Sequence, residues 1–469
     1  MSGGSPLSRL PSVDAVLKSP AVAPAVAVYS RPVVRDVIRG VIAEWRIRLA
    51  AGGACERPDE EAVGCEALAR LALSSDGGLR RCINATGVVL HTGLGRAVLA
   101  RGAGEAVYEA AVHPVPIATD YATGKRAPRD RLVEASLCRL CGAEAARVVN
   151  NNAAAVLVTL TALAAGRKVV VSRGELVEIG GSFRVPDVIR QGGAQLVEVG
   201  TTNRTHLRDY EAAIDDDVAV LLKVHQSNYR IRGFTAQVGI AELADLAHRR
   251  GVLLVEDLGS GCVTSLRPYG IVEPTPAESL REGADVVTFS CDKLMGGPQA
   301  GAIVGRAALV ARIKDHPLVR ALRTDKLTLA ALHATLVIHE NGEAFDRIPF
   351  HIALTRTPED LRATAESVAA RLRRLAAPGV AIDVIPEAAE AGSGALPTFE
   401  LPTYAIRLRV PDVPDHDLAA RLRQAQPAIF TRSKDGVLLD VRTVRAEDLD
   451  LLVEAVGPVI AAARSSAVD

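Results

Sequence analysis

Between residues 80 and 350, short apolar runs alternate with segments of helical spacing. The runs fall at 146–149, 168–172, 195–199, 218–224, 252–256, 286–290 and 301–305, and Val, Leu, Ile and Ala fill them. Apolar stretches this short, without polar alternation, predict strands buried on both faces. Segments 153–166, 207–214 and 240–250 repeat apolar residues at helical intervals instead. Strand and helix in alternation predict an α/β fold with a mostly parallel, doubly wound sheet. Ahead of this region, SRPVVRDVIRGVIAEWRIRLA places apolar residues on one helical face and arginines on the rest. A polar, Pro-containing break follows, then a second helical run, EEAVGCEALARLAL. Behind the central region, EDLRATAESVAARLRRLAA reads as helix, and TYAIRLRV and GVLLDVRTV read as strands. Three domains are expected: N-terminal helical (1–75), large α/β (76–350) and small α+β (351–469).

Composition changes this picture little. Only 3% of residues are aromatic, so Ala, Val and Leu must fill the core. Lys and Arg total 55, as do Asp and Glu. A net charge of zero gives no global field for nucleic acid, so RNA contact must rest on local patches. Arg31, Arg35, Arg39, Arg46 and Arg48 of the N-terminal helix form one such patch. A solvated helix face is the competing reading, and Trp45 is a core candidate. Seven cysteines in a long chain do not read as a disulfide framework. Cys138 and Cys141 form a C-x-x-C on a helix with no second ligand pair, which reads as packing rather than zinc. The run AVAPAVAV is short and broken by proline. It supports neither a signal peptide nor a membrane span, so a cytoplasmic protein is expected.

The chemistry concentrates at strand ends. VVTFS runs into Cys291-Asp292-Lys293 and then a turn rich in Gly and Pro. A lysine just past a strand, beside small residues, suits a Schiff base to pyridoxal 5'-phosphate (PLP). Asp257 ends another apolar strand, where a carboxylate can pair with the protonated ring nitrogen. Asp292 adjoins the lysine and is a further catalytic candidate. Asn151, Asn152 and Ala153 open an alanine-rich helix, whose free N–H groups suit a phosphate. Ser290 is a candidate for one more phosphate hydrogen bond. His225, in KVHQSN, is a candidate for the ring or its O3′, with a structural histidine as the competing reading. Ligands of doubly wound sheets bind beyond the carboxyl ends of the strands, where these residues fall. Arg96 follows the turn HTGLG. Arg320 and Arg323, one helical turn apart, can share a face. Guanidinium forks suit phosphate oxygens, although pairing with surface acids is the ordinary alternative.

Taken in order, the segments resemble one family. They are LPSVDAVL, INATGVVLHTGLGRA, GAEAARVVNNNAAAVL, SRGELVEIGGSFRVPDV, KVHQSNYRIRGF, EDLGSGC, FSCDKLMGGPQAGAIVG, VRALRTDKLTLAAL, ELPTYAIRL and LLDVRTV. The chain resembles the bacterial selenocysteine synthases, the L-seryl-tRNA(Sec) selenium transferases, over nearly its whole length. That resemblance implies a fold-type-I PLP enzyme, aspartate aminotransferase-like. It implies β-elimination from L-seryl-tRNA(Sec) to an aminoacrylyl intermediate, then addition of selenium from selenophosphate. It also implies that Arg96, Arg320 and Arg323 bind selenophosphate and that the N-terminal domain binds the tRNA. A homo-oligomer built from dimers, up to a decameric ring, is implied as well. The sequence departs from the family at Cys291, where F-S-G-D-K is usual; a small side chain there should be tolerated. Arg442 stands where many fold-type-I enzymes hold a carboxylate, which an aminoacyl ester lacks. Two other readings stay open: a small-molecule PLP lyase on the same fold, and a non-catalytic PLP-containing tRNA-binding protein.

Overall fold

The apolar runs of the central region pair into a seven-stranded sheet in this computed structural model, which describes residues 10–50, 57–75, 79–179, 183–392, 394, 396 and 399–462. The chain divides into two units, Met1–Cys82 and Ile83–Asp469.

In the first unit, Ser12 caps the helix Val13–Lys18 by accepting from the Ala15 N–H. The long helix Arg31–Ala50 buries Val34, Ile38, Val41 and Ile42, a single stripe at helical spacing. This stripe joins Val16, Leu17, Val63, Ala67 and Leu71 in a small core. Trp45 is half-buried against it and donates Nε1–H to Glu66 at 2.8 Å. Arg35 and Arg39 pair with Asp36, and Arg48 with Glu44. Arg31 and Arg46 are exposed and form no ion pair with the described residues.

The second unit holds the large sheet. Its strands are β1 (Ala145–Val149), β2 (Lys168–Ser172), β3 (Gln195–Val199), β4 (Val218–Val224), β5 (Leu253–Gly259), β6 (Val286–Ser290) and β7 (Gly301–Gly305). Their spatial order is β1-β7-β6-β5-β4-β2-β3. β2 through β6 are parallel, while β7 runs antiparallel between β1 and β6. The ten residues between Ser290 and Gly301 are too few for a crossover, so the chain doubles straight back. Side chains alternate between two cores. Val170, Leu221, Val287 and Ala302 face the helices Arg131–Cys141, Ile240–Arg250 and Lys326–Glu340. Val169, Leu222, Val255 and Ile303 face Asn152–Ala164, Val185–Gln191 and Ala307–Asp315.

A second, five-stranded sheet follows, with β8 (Ala381–Glu390), β9 (Glu400–Arg409), β10 (Ala428–Ser433) and β11 (Val437–Asp440). The edge beyond β10 is the short strand Cys82–Ala85, in which the boundary between the two units falls. Residues 83–85, which the sequence reading groups with the large domain, therefore add to the C-terminal sheet. The helices Pro358–Leu375, Asp415–Gln424 and Leu449–Ala461 cover it with an aliphatic core of their own.

Candidate active site

Parallel strands end together, and the charged residues of interest collect at that edge. Asp257, near the end of β5, is only 4% exposed. It accepts from Asn152 Nδ2 at 2.8 Å and from Thr288 Oγ1 at 3.3 Å. Burial pushes its carboxyl up; the Asn152 hydrogen bond and the Lys293 charge pull the other way. Lys293 follows β6 and is 5% exposed. Burial is the main cause that lowers its amine, against the opposing pull of Asp257; Arg96 adds to the lowering. Its Nζ forms no hydrogen bond or ion pair with the described residues. A Cβ built on Gly394 stands 3.7 Å from this Nζ, so the C-terminal domain reaches the same place.

The turn that carries Lys293 is tightly tied. Leu294 N–H donates to the Ser260 carbonyl at 3.1 Å, Gly296 N–H to Lys293 O at 2.9 Å, and Gly297 N–H to Cys291 O at 2.9 Å. Gly296 has φ +73, and a Cβ there would meet Ile348 Cγ2 at 2.3 Å, so no other residue fits.

The helix start at Asn151 divides its functions. Asn151 is extended, and its Oδ1 accepts from Ala154 N–H at 2.8 Å. This side chain is therefore the helix N-cap. The Asn152 amide goes to Asp257, and its Oδ1 is buried without a partner. The N–H groups of Asn152 and Ala153 lie in the first helical turn, which offers no intrahelical acceptor. Ser290 is buried at the neighbouring strand end. Gly301 walls this start: a Cβ there would lie 2.1 Å from the Asn151 carbonyl oxygen.

Arg96 reaches Asp292, with Nη1–H donating to Oδ2 at 2.8 Å. It follows the short 3-10 turn Thr92–Leu94 and takes φ +65, uncommon for a side chain with a Cβ. Asp292 thus orients Arg96 beside Lys293. His225, just past β4, donates its backbone N–H to the Asp257 carbonyl at 2.9 Å. Its Nε2 meets Glu273 Oε1 at 3.0 Å, so that nitrogen is turned toward a buried carboxylate.

Arg320 and Arg323 do not share a helical face as the sequence suggested. The helix Leu318–Ala321 is one turn long and ends before Arg323. Both side chains are exposed and pair with no described residue. Their segment is nevertheless tied to the helix start, because Asn150 N–H donates to the Leu322 carbonyl at 2.9 Å. Cys291 is fully buried in the apolar cluster that holds Cys141 and Met295, with Cys138 packed against it. Burial pushes the Cys291 thiol well up, so it stays neutral. Arg442 is buried, and its Nη groups donate to the carbonyls of Ala353, Leu354, Arg356 and Pro402.

Glu273, the Asn152–Asp257 bond and Gly394 escape sequence reasoning. Glu273 sits in the loop GIVEPTP, which bears no chemical signature. The arrangement fits PLP: an unpartnered amine on a buried lysine, a buried acid, a helix start with open N–H groups, and an orphaned Asn152 Oδ1. Among the described residues, no group of three or more His, Cys, Asp or Glu could hold a metal ion, and no helix is long and apolar enough to cross a membrane.

Comparison with known proteins adds a name to this geometry. Residues 82–445 match the family described as L-seryl-tRNA selenium transferase, and residues 7–46 match selenocysteine synthase N terminal. The L-seryl-tRNA(Sec) selenium transferase of Rhizobium meliloti (strain 1021) is 47% identical, covering 98% of this chain and 100% of that protein. The Moorella thermoacetica protein of the same name is 47% identical over 93% of each chain. That of Geobacter metallireducens (strain ATCC 53774 / DSM 7210 / GS-15) is 45% identical over 98% and 99%. Among solved structures, D-glucosaminate-6-phosphate ammonia-lyase matches with a TM-score of 0.58 at 24% identity, over 84% of this chain and 99% of that one. That likeness is one of fold.

Proposed function

Because the chain belongs to the L-seryl-tRNA selenium transferase family, we infer that it converts L-seryl-tRNA(Sec) to L-selenocysteinyl-tRNA(Sec), with PLP as cofactor and selenophosphate as selenium donor. The observation that carries this reading is the Nζ of buried Lys293, without a hydrogen-bond partner among the described residues, at the same sheet edge as buried Asp257. PLP, when bound, supplies an electron sink for the pair left at the seryl Cα.

The remaining work belongs to the chain. Lys293 holds the cofactor and then moves the Cα proton; burial favours the neutral amine this requires. Asp257, aimed by Asn152 and Thr288, would pair with the ring nitrogen. The N–H groups of Asn152 and Ala153, with Ser290, hold the cofactor phosphate. His225, held by Glu273, would stand on the ring side. Arg96, oriented by Asp292, grips selenophosphate together with Arg320 and Arg323. The seryl Cβ–O bond breaks and a Cβ–Se bond forms. The hydroxyl leaves as water, and cleavage of P–Se by water releases phosphate. Burial of the site limits loss of the reactive substrate to hydrolysis.

Exposed Arg31 and Arg46 support backbone contacts from the N-terminal helix to the tRNA. The exposure of Arg320 and Arg323 on the single chain fits a pocket completed by a second copy, in a homo-oligomer built from dimers. A tRNA substrate supports a cytoplasmic location.

Purified protein should be yellow, and borohydride should fix the colour to the peptide containing Lys293. Seryl-tRNA(Sec) with labelled selenophosphate should then yield labelled selenocysteinyl-tRNA(Sec). Turnover of a free amino acid without tRNA binding would replace this reading with the lyase.

A further inference from the structure

Against the Lys293 turn lies a polar relay that the reaction above does not use. His339, near the end of the helix Lys326–Glu340, is 5% exposed. Its Nε2 is 2.8 Å from the Met295 carbonyl oxygen, and its Nδ1 is 2.7 Å from Thr264 Oγ1. A carbonyl only accepts, so Nε2 carries the proton. Nδ1 then offers its lone pair, and the Thr264 hydroxyl donates to it. Burial lowers the imidazole's affinity for a second proton, which keeps this neutral tautomer in place.

The surroundings reinforce the arrangement. The His351 ring stands edge-on to His339 at 5.5 Å, and Phe345 and Phe350 pack on His351. His351 is pushed down to about 3 by burial, so it adds no charge beside the relay. Ile348 fills the space that a Cβ on Gly296 would need. The turn thus has the Ser260 carbonyl on one flank, through Leu294, and His339 on the other, through Met295.

We propose that His339 is a positioning residue for Lys293: its Nε2–H, fixed by Thr264, holds the Met295 carbonyl and so keeps the turn that aims the lysine amine. The link runs through two peptide units and needs no contact between imidazole and substrate. It rests on the cofactor reading given above.

The test follows uptake of PLP by apoenzyme across pH, read by absorbance. Only the neutral amine attacks the aldehyde, so the midpoint of the rate profile reports Lys293. Thr264→Val nearly preserves volume but removes the donor, which frees His339 to adopt the other tautomer. His339→Leu removes the relay. Both should move the midpoint to higher pH, because a loosened turn admits water to an amine that burial had lowered. Both should reduce kcat by about ten- to a hundredfold, with KM for seryl-tRNA(Sec) unchanged. Thr264→Ser keeps the donor and should restore the original midpoint. A midpoint unmoved in both Thr264→Val and His339→Leu overturns the proposal, even if kcat or stability falls. Failure of the unsubstituted apoenzyme to take up PLP would remove the cofactor reading, and this proposal with it.

Discussion

Two buried basic side chains, Lys293 and Arg442, are treated in opposite ways by this fold. Both are almost wholly removed from solvent. Arg442 has its terminal nitrogens saturated by four backbone carbonyls, which clasp the helix Pro349–Thr355 to the C-terminal sheet. Burial still lowers it to about 10. Lys293 is left with no partner for Nζ, although Asp257 and Asp292 stand nearby. Burying a charge is costly unless its hydrogen-bonding capacity is met. A fold that meets most of it, as at Arg442 where Nε alone is left without a partner, uses the cation as structure. A fold that leaves it open holds the cation for a ligand. Arg442 stands at a position where a carboxylate could bind, yet its Nη donors are already taken, which suits a substrate whose carboxyl is esterified.

The largest test of this contrast is Lys293→Ala. Colour and selenium transfer should both vanish, while the melting temperature of the apoprotein holds or rises, because a buried, unpaired amine has been removed. A marked loss of apoprotein stability would break the contrast. Arg442→Met should do the reverse. It strands several carbonyls and should cost about 3 kcal/mol in denaturant unfolding, with the colour retained. Arg323→Ala extends the idea to an open cation on the surface. It should spare colour and stability and raise KM for selenophosphate by about tenfold. His351 is the case most able to blur the rule, since both of its nitrogens are buried without partners. Its folded value of about 3 lies below the ordinary 6.5. Between those values the unfolded chain binds more protons, so stability rises with pH across that window and falls on acidification. The slope is at most about 1.4 kcal/mol per pH unit. His351→Phe should flatten it, measured as denaturation midpoint against pH.

The strands were legible because parallel sheets bury both faces and leave uninterrupted aliphatic runs. Segments 168–172, 195–199, 218–224, 286–290 and 301–305 coincide with observed strands. The reversed direction of β7 was not drawn out, although the short stretch between Ser290 and Gly301 contains it. Lys293 and Asp257 could be picked out because each ends such a run. Partnerships could not. Asn152 meets Asp257, Arg96 meets Asp292 and His339 meets Met295 across long sequence separations. No local pattern encodes those pairs; only the order in which strands lie side by side brings them together. The shared helical face expected of Arg320 and Arg323 failed for a different reason. Their spacing suits a helix, but the helix stops at Ala321.

The approach of Gly394 to Nζ has a physiological side. If Lys293 holds the vitamin-derived group as proposed, backbone from the C-terminal domain lines the same place, and loading is felt by the C-terminal sheet as well as the large one. Ligand that binds only the native form raises its stability by mass action. Chains made during vitamin shortage would then be the ones most open to proteases, and the cellular level of this enzyme would follow its nutrient supply without any dedicated regulator.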